Sequence, residues 1–184
     1  VSMESASSGQ SALRLRFATL PGATLGQAGI ERLRLHLVGE PAYTLYYWLC
    51  RYVGKIKLRL LTQGRPAEEL GLPDCKIQPF GFAKEEALLP YPQTAFDGYR
   101  LLQEYFAFPQ KFLAVDLSDL RPLARRSSAT TFEILILFTK APPASLRVSK
   151  DHVRLFCTPI VNLFTTDSQP IQVSHERTEY LIRP

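Results

Sequence analysis

Residues 131–139 read TFEILILFT. Ile134, Leu135, Ile136 and Leu137 are apolar in succession, so a strand built from them needs cover on both faces. Such a strand belongs in the middle of a sheet, and Pro142 and Pro143 close it. Two other stretches alternate instead. In residues 11–20, SALRLRFATL, Leu13, Leu15 and Phe17 share one face and Arg14 and Arg16 the other. In residues 31–38, ERLRLHLV, Leu33, Leu35 and Leu37 point one way and Arg32, Arg34 and His36 the other. The common pattern predicts two strands of one sheet, with the four arginines on a solvated face. Residues 57–62, KLRLLT, predict a third strand, which turns at 64–66.

Two helices interrupt this strand-rich chain. Pro41 suits a first helical turn, and residues 41–51 carry Tyr43, Tyr46, Tyr47 and Trp48, with Tyr52 just beyond. Tyr99, Leu102, Tyr105 and Phe106 follow helical spacing between Pro92 and Pro109, which predicts a helix at 96–106. Alternation at 111–117 then predicts a strand. A short strand is expected at 75–78 and a loop at 121–129. Ser149 is placed to cap a short helix through Leu155, with Asp151 near its positive end. Residues 160–164 form an extended apolar run, and 171–174 and 178–182 predict two late strands in a hairpin around His175 and Glu176. The expected fold is α+β: a β-rich sandwich or distorted barrel with two principal helices, in which 11–184 form a single domain behind a flexible leader at 1–10.

The totals narrow the function. A chain of 184 residues with 46% hydrophobic content supports one packed core, and it contains no apolar run long enough to cross a bilayer. The start lacks the basic and apolar regions of a signal peptide. Cys50, Cys75 and Cys157 are odd in number and widely spaced, which argues against a disulfide framework or a zinc site and for a reducing compartment. The net charge of +5 is spread along the chain, so it is weak support for nucleic acid. His36, His152 and His175 lie at no metal-ligand spacing, and His152 and Cys157 form a nucleophile pair only if the fold brings them into contact. Glu104 is a candidate for a buried polar contact among rings, set against the usual solvated helix glutamate. No catalytic, cofactor or metal residues emerge. Two binding alternatives remain: a carbohydrate- or peptide-binding β-module using the rings at 43–52, and a nucleic-acid binder using Arg14, Arg16, Arg32 and Arg34.

Residues 81–120, GFAKEEALLPYPQTAFDGYRLLQEYFAFPQKFLAVDLSDL, resemble the TssF family, also called ImpG or VasA. CTPIVNLFTTDSQPIQV at 157–173 and EYLIRP at 179–184 extend the likeness. It is closest across 77–184, while 13–61 are compatible through strand patterning. Family members are longer, so the chain is expected to be a fragment. The resemblance implies a structural wedge subunit of a type VI secretion baseplate, joining TssG and recruiting TssK and TssE around the spike. It further implies self-association within the wedge and a cytoplasmic place at the inner face of the inner membrane. No enzyme activity, cofactor, nucleic-acid partner or direct membrane insertion is expected. A scaffold of this kind needs aromatic anchors, and Tyr91, Tyr99, Tyr105, Phe106 and Phe108 are the candidate interface. Their competing use is to fill the domain's own core, because rings at helical period more often face inward.

Overall fold

The computed structural model describes residues 1–5, 11–61, 67–92, 94–124, 129–174, 176 and 178–182. In chain order the elements are β1 (Ser2–Ser5), β2 (Ser11–Ala18), α1 (Leu25–Ala28), β3 (Leu33–Leu37), α2 (Ala42–Arg51), β4 (Val53–Leu61), β5 (Glu68–Gly71), β6 (Ile77–Pro79), α3 (Asp97–Ala107), β7 (Ala114–Leu117), α4 (Arg121–Ala124), β8 (Thr131–Phe138) and β9 (Val153–Arg154). Single 3₁₀ turns occur at Lys84–Glu86, Pro109–Phe112 and Lys150–His152. The strands form two antiparallel sheets, ordered β1-β2-β8-β4-β5 and β6-β7-β3-β9. The fold is α+β, and the sheets do not close into a barrel.

β8 takes the central place that its apolar run requires. Three tiers cross it toward the core: Leu15, Ile134 and Leu58; Leu13, Ile136 and Ile56; Phe17, Phe132 and Leu60. The Phe17 and Phe132 rings stack at 5.0 Å. Each buried aliphatic or aromatic side chain here contributes roughly 1.5–3 kcal/mol. On the other face, Glu133 lies in register with Arg16 and Arg59, and Leu135 with Arg14 and Lys57. Long cationic stems beside these residues give that face its cover. The second sheet adds Leu33, Leu35, Leu37, Val115 and Leu117 to the same core, and α2 adds Leu45 and Leu49.

Several expectations change. β2 and β3 lie in different sheets, because β1 and β8 occupy both edges of β2 and leave none for β3. His36 is buried beside Phe80 rather than solvated, with ring centroids 6.3 Å apart. The strand expected at 111–117 begins at Ala114, after the 3₁₀ turn at Pro109–Phe112. The helix after Ser149 lasts one turn, with Ser149 Oγ accepting from the Asp151 amide, and Val153–Arg154 then pair with β3. Residues 171–174 and 178–182 form no strand, since neither finds a pairing neighbour among the described residues. β1 and β5 were not foreseen, and β1 begins inside the expected leader. The turn at 64–66 and His175 lie outside the described residues, as do 62, 125–128 and 177.

Candidate functional site

The segment that carries the candidate interface is built around α3. Phe96 is extended, Asp97 opens the helix near its positive end, and Pro109 follows its last turn. Asp97, Arg100 and Glu104 fall on one face at helical spacing. That face points inward: Arg100 and Glu104 are each 1% exposed, and so is Lys111 of the following turn. Glu104 binds both cations, at 3.2 Å from Arg100 Nη1 and in direct contact with Lys111 Nζ. Its Oε1 accepts from the amides of Leu88 at 2.6 Å and Leu89 at 3.2 Å. Arg100 also donates to Asp97 Oδ1 at 2.9 Å and to the Phe82 carbonyl at 3.0 Å. Burial pushes the Glu104 carboxyl up, but Lys111 and the two amides outweigh it and hold the group below its ordinary range. The Arg100 hydrogen bond likewise holds Asp97 below the usual carboxylate value.

The opposite face of α3 is apolar and faces solvent. Exposure is 73% at Phe96, 68% at Tyr99, 56% at Leu102 and 81% at Phe106. Tyr105 and Phe108 are also exposed, Tyr105 flanking Phe106 and Phe112 at 5.8 and 6.1 Å between ring centroids. Tyr91 is half-buried in the loop before the helix, and its hydroxyl donates to the Ala95 carbonyl. A surface helix ordinarily buries its apolar stripe and exposes its charges. α3 does the reverse, so its rings do not fill the domain's core. Rings lying on neighbouring turns form one patch rather than scattered singles.

The turn at residues 80–82 walls this cluster from the side. Gly81 has φ +103°, and a Cβ there would meet Phe112 Cδ1 at 3.3 Å and Lys111 Cε at 3.4 Å. Gly81→Ala is therefore expected to destabilise the chain by about 1–3 kcal/mol, read as a lower urea midpoint at unchanged slope.

Several of the remaining candidates already have partners. Arg34 makes a bidentate pair with Asp116, at 2.7 and 2.9 Å, and its guanidinium lies 3.4 Å over the Phe80 ring. Arg32 approaches the same carboxylate at 3.7 Å. These two arginines, and Arg14 at 3.8 Å from Glu133, serve carboxylates rather than a common phosphate-binding stripe. On α2, Tyr43 and Tyr47 are exposed, but Tyr47 packs edge-to-face on Trp48 and Tyr52 at 5.4 and 5.6 Å on a helix surface. A cleft of about 760 Å³ beside β4 is lined by Leu49, Val53, Ile56 and Cys75 among others, with no histidine or carboxylate among the described lining residues. Burial pushes the Cys75 thiol up to about 11, away from a thiolate. His152 Nδ1 accepts from the Ser149 amide, and Cys157 Sγ donates to the Leu155 carbonyl, so each has its own partner. No group of three or more metal-ligating side chains occurs among the described residues, and no described helix is long and apolar enough to cross a membrane.

Residues 157–174 carry a second apolar surface. They form no helix or strand, and Ile160, Leu163, Phe164 and Val173 are exposed. Among the described residues, none beyond Leu155 packs against the core. Removing residues 160–184 is therefore expected to change the unfolding free energy by no more than about 0.5 kcal/mol, checked by thermal and urea melts.

The comparisons with known proteins cover nearly the whole chain. A family profile described as "Type VI secretion system, TssF" matches residues 1–184. A curated Pseudomonas aeruginosa protein described as "Type VI secretion system component TssF1" is 34% identical over 171 residues, which are 91% of this chain and 27% of that protein. A chain in a cryo-electron microscopy structure of the type VI secretion system TssK-TssF-TssG baseplate subcomplex matches with TM-score 0.76 and 34% identity. That match covers 99% of this chain and 34% of the other. This chain thus spans between 27% and 34% of the length of these relatives.

Proposed function

Because the chain belongs to the TssF family of type VI secretion system proteins, we propose that it is a structural part of a baseplate wedge and acts by docking rather than by catalysis. The observation that carries this reading is the inverted helix: α3 buries Arg100 and Glu104 and presents Tyr99, Leu102 and Phe106 to solvent. A ring patch held rigidly on a helix supplies contact area with little further loss of side-chain freedom, which is what an interface anchor needs.

The partner assigned to this face is the TssG-type subunit. Support comes from the structural neighbour, whose complex is described as containing TssK, TssF and TssG. TssK, TssE, spike-proximal proteins and a second copy of this chain complete the proposed wedge. Its place is cytoplasmic, at the inner face of the inner membrane. The half-buried Tyr91 steadies the loop that leads into the patch, while Tyr99, Tyr105, Phe106 and Phe108 make the contact. Co-expression with the cognate TssG and co-purification on a tag carried by TssG tests this. Retention of the wild-type chain together with loss of a folded Tyr99→Ala/Phe106→Ala variant supports it; equal retention of both removes α3 from the interface.

A further inference from the structure

The charges inside α3 and the rings outside it are two ends of one arrangement. Apolar burial alone would roll the helix over, seating Tyr99, Leu102 and Phe106 and releasing Arg100 and Glu104 to water. The helix does not sit that way. We infer that Arg100, Glu104 and Lys111 are positioning residues, a buried polar pin that fixes α3 with its ring face outward and so makes that face available to an uncharged, apolar partner surface. This inference rests on the docking reading given above.

The geometry explains how the pin selects one orientation. Glu104 Oε1 holds the amides of Leu88 and Leu89, and Arg100 Nη2 holds the Phe82 carbonyl. All three are backbone groups of the segment before α3, and none can move without that segment. A rolled helix would withdraw the carboxylate and guanidinium from them and leave partly buried donors and an acceptor without partners, at the full desolvation cost of each. Lys111 closes the cluster from the far side of the helix end, through its contact with Glu104. A buried ionic network of this kind is a poor source of stability, and an alternative packing of α3 would leave this one unsatisfied.

The pin also clears the outer surface of charge. Asp97, Arg100, Glu104 and Lys111 are the charged residues of 96–111, and each is joined to at least one of the others. What remains outward is Phe96, Tyr99, Leu102, Tyr105, Phe106 and Phe108, with Gln103 and Gln110 as exposed polar groups. No lysine or arginine of 96–111 is left there for a phosphate, and the partly exposed carboxylate, Asp97, is held by Arg100. The complementary surface is therefore apolar protein whose polar groups accept or donate to amides and phenols.

The test separates orientation from binding. In the full 184-residue chain with the exposed Cys50 and Cys157 changed to serine, Gln103→Cys places a thiol on the ring face without removing a ring. Its maleimide labelling rate reports which way the face points. With the native pin, labelling is expected at the rate of an exposed thiol. Arg100→Met/Glu104→Leu/Lys111→Met replaces every charge of the network core with apolar bulk, and is expected to label at least about tenfold more slowly while melting within about 5 °C of the parent. Glu104→Gln/Lys111→Met keeps an acceptor for Leu88 and Leu89 and keeps Arg100 on Phe82, and is expected to retain the fast rate. A folded triple variant that still labels fast overturns the inference, as does slow labelling of the conservative double variant. A triple variant that fails to fold also overturns it, because the network would then serve folding rather than orientation. If the labelling rates behave as expected but TssG co-purifies equally with parent and triple variant, the pin stands and the docking assignment of this face falls.

Discussion

Glu104→Ala is expected to lower the unfolding free energy by about 3–5 kcal/mol, the range for removing one partner of a buried charge network. The substitution takes away more than one interaction. Lys111, 1% exposed, would lose the carboxylate it contacts, and Arg100, equally buried, would keep Asp97 alone as its counter-charge. The Leu88 and Leu89 amides would lose their acceptor. Urea unfolding at neutral pH measures the loss, with slope expected to be unchanged and the midpoint to fall. The pH dependence has a definite sign. Glu104 has a folded pKa below its value in the unfolded chain. Its contribution is therefore complete above the unfolded carboxylate value of about 4.3, and fades as pH falls through the lower folded value. The gap between parent and variant should be full at neutrality and narrow on acidification below about pH 4. A gap under about 1 kcal/mol at pH 7 would mean that the cluster relaxes into water when one member is lost.

The second large effect is on assembly. Tyr99→Ala/Phe106→Ala removes two rings whose side chains make few contacts inside the domain, so stability should change by less than about 0.5 kcal/mol. Affinity for TssG should fall by at least about 100-fold, since a buried aromatic anchor commonly accounts for 2 kcal/mol or more. Titration of purified components by calorimetry or biolayer interferometry reads this directly. A loss of affinity that tracks a loss of stability would trace the effect to misfolding, and the melting curve makes that distinction. Leu102→Ala, a smaller group on the same exposed face, serves as an intermediate case.

The fold was legible wherever a local pattern determines the answer. The apolar run of β8 required a central strand, the Leu/Arg alternation of β2 and β3 required strands, and both long helices fall within a residue of where spacing places them. What local pattern cannot supply is the choice of neighbour. β2 and β3 look alike in sequence, yet β1 closes one edge of β2 and sends β3 to the other sheet. The segments at 171–174 and 178–182 have the composition of strands but no partner in the described structure. At α3 the periodicity identified the residues that share a face. It could not say which way that face turns, because the apolar side is usually the inner one. The missed signal was the i, i+4 pair Arg100 and Glu104 followed by Lys111: three charges at the spacing of a common contact, beneath a helix whose other side carries no charge at all. Tyr91, Tyr99, Tyr105, Phe106 and Phe108 were singled out by the density of rings and prolines and by the scaffold role that the family resemblance implies, and four of these five lie exposed on or beside that uncharged side.

A joint without ions has kinetic consequences as well as energetic ones. Charged surfaces find each other from a distance and lose that advantage as ionic strength rises. In the docking proposed above, the ring face of α3 adds no charge of its own to steer encounter, so association is expected near the unsteered pace of about 10⁵–10⁶ M⁻¹s⁻¹ and only weakly dependent on salt. With little steering on offer, the proposed assembly would depend on local abundance and on how long each contact lasts once made.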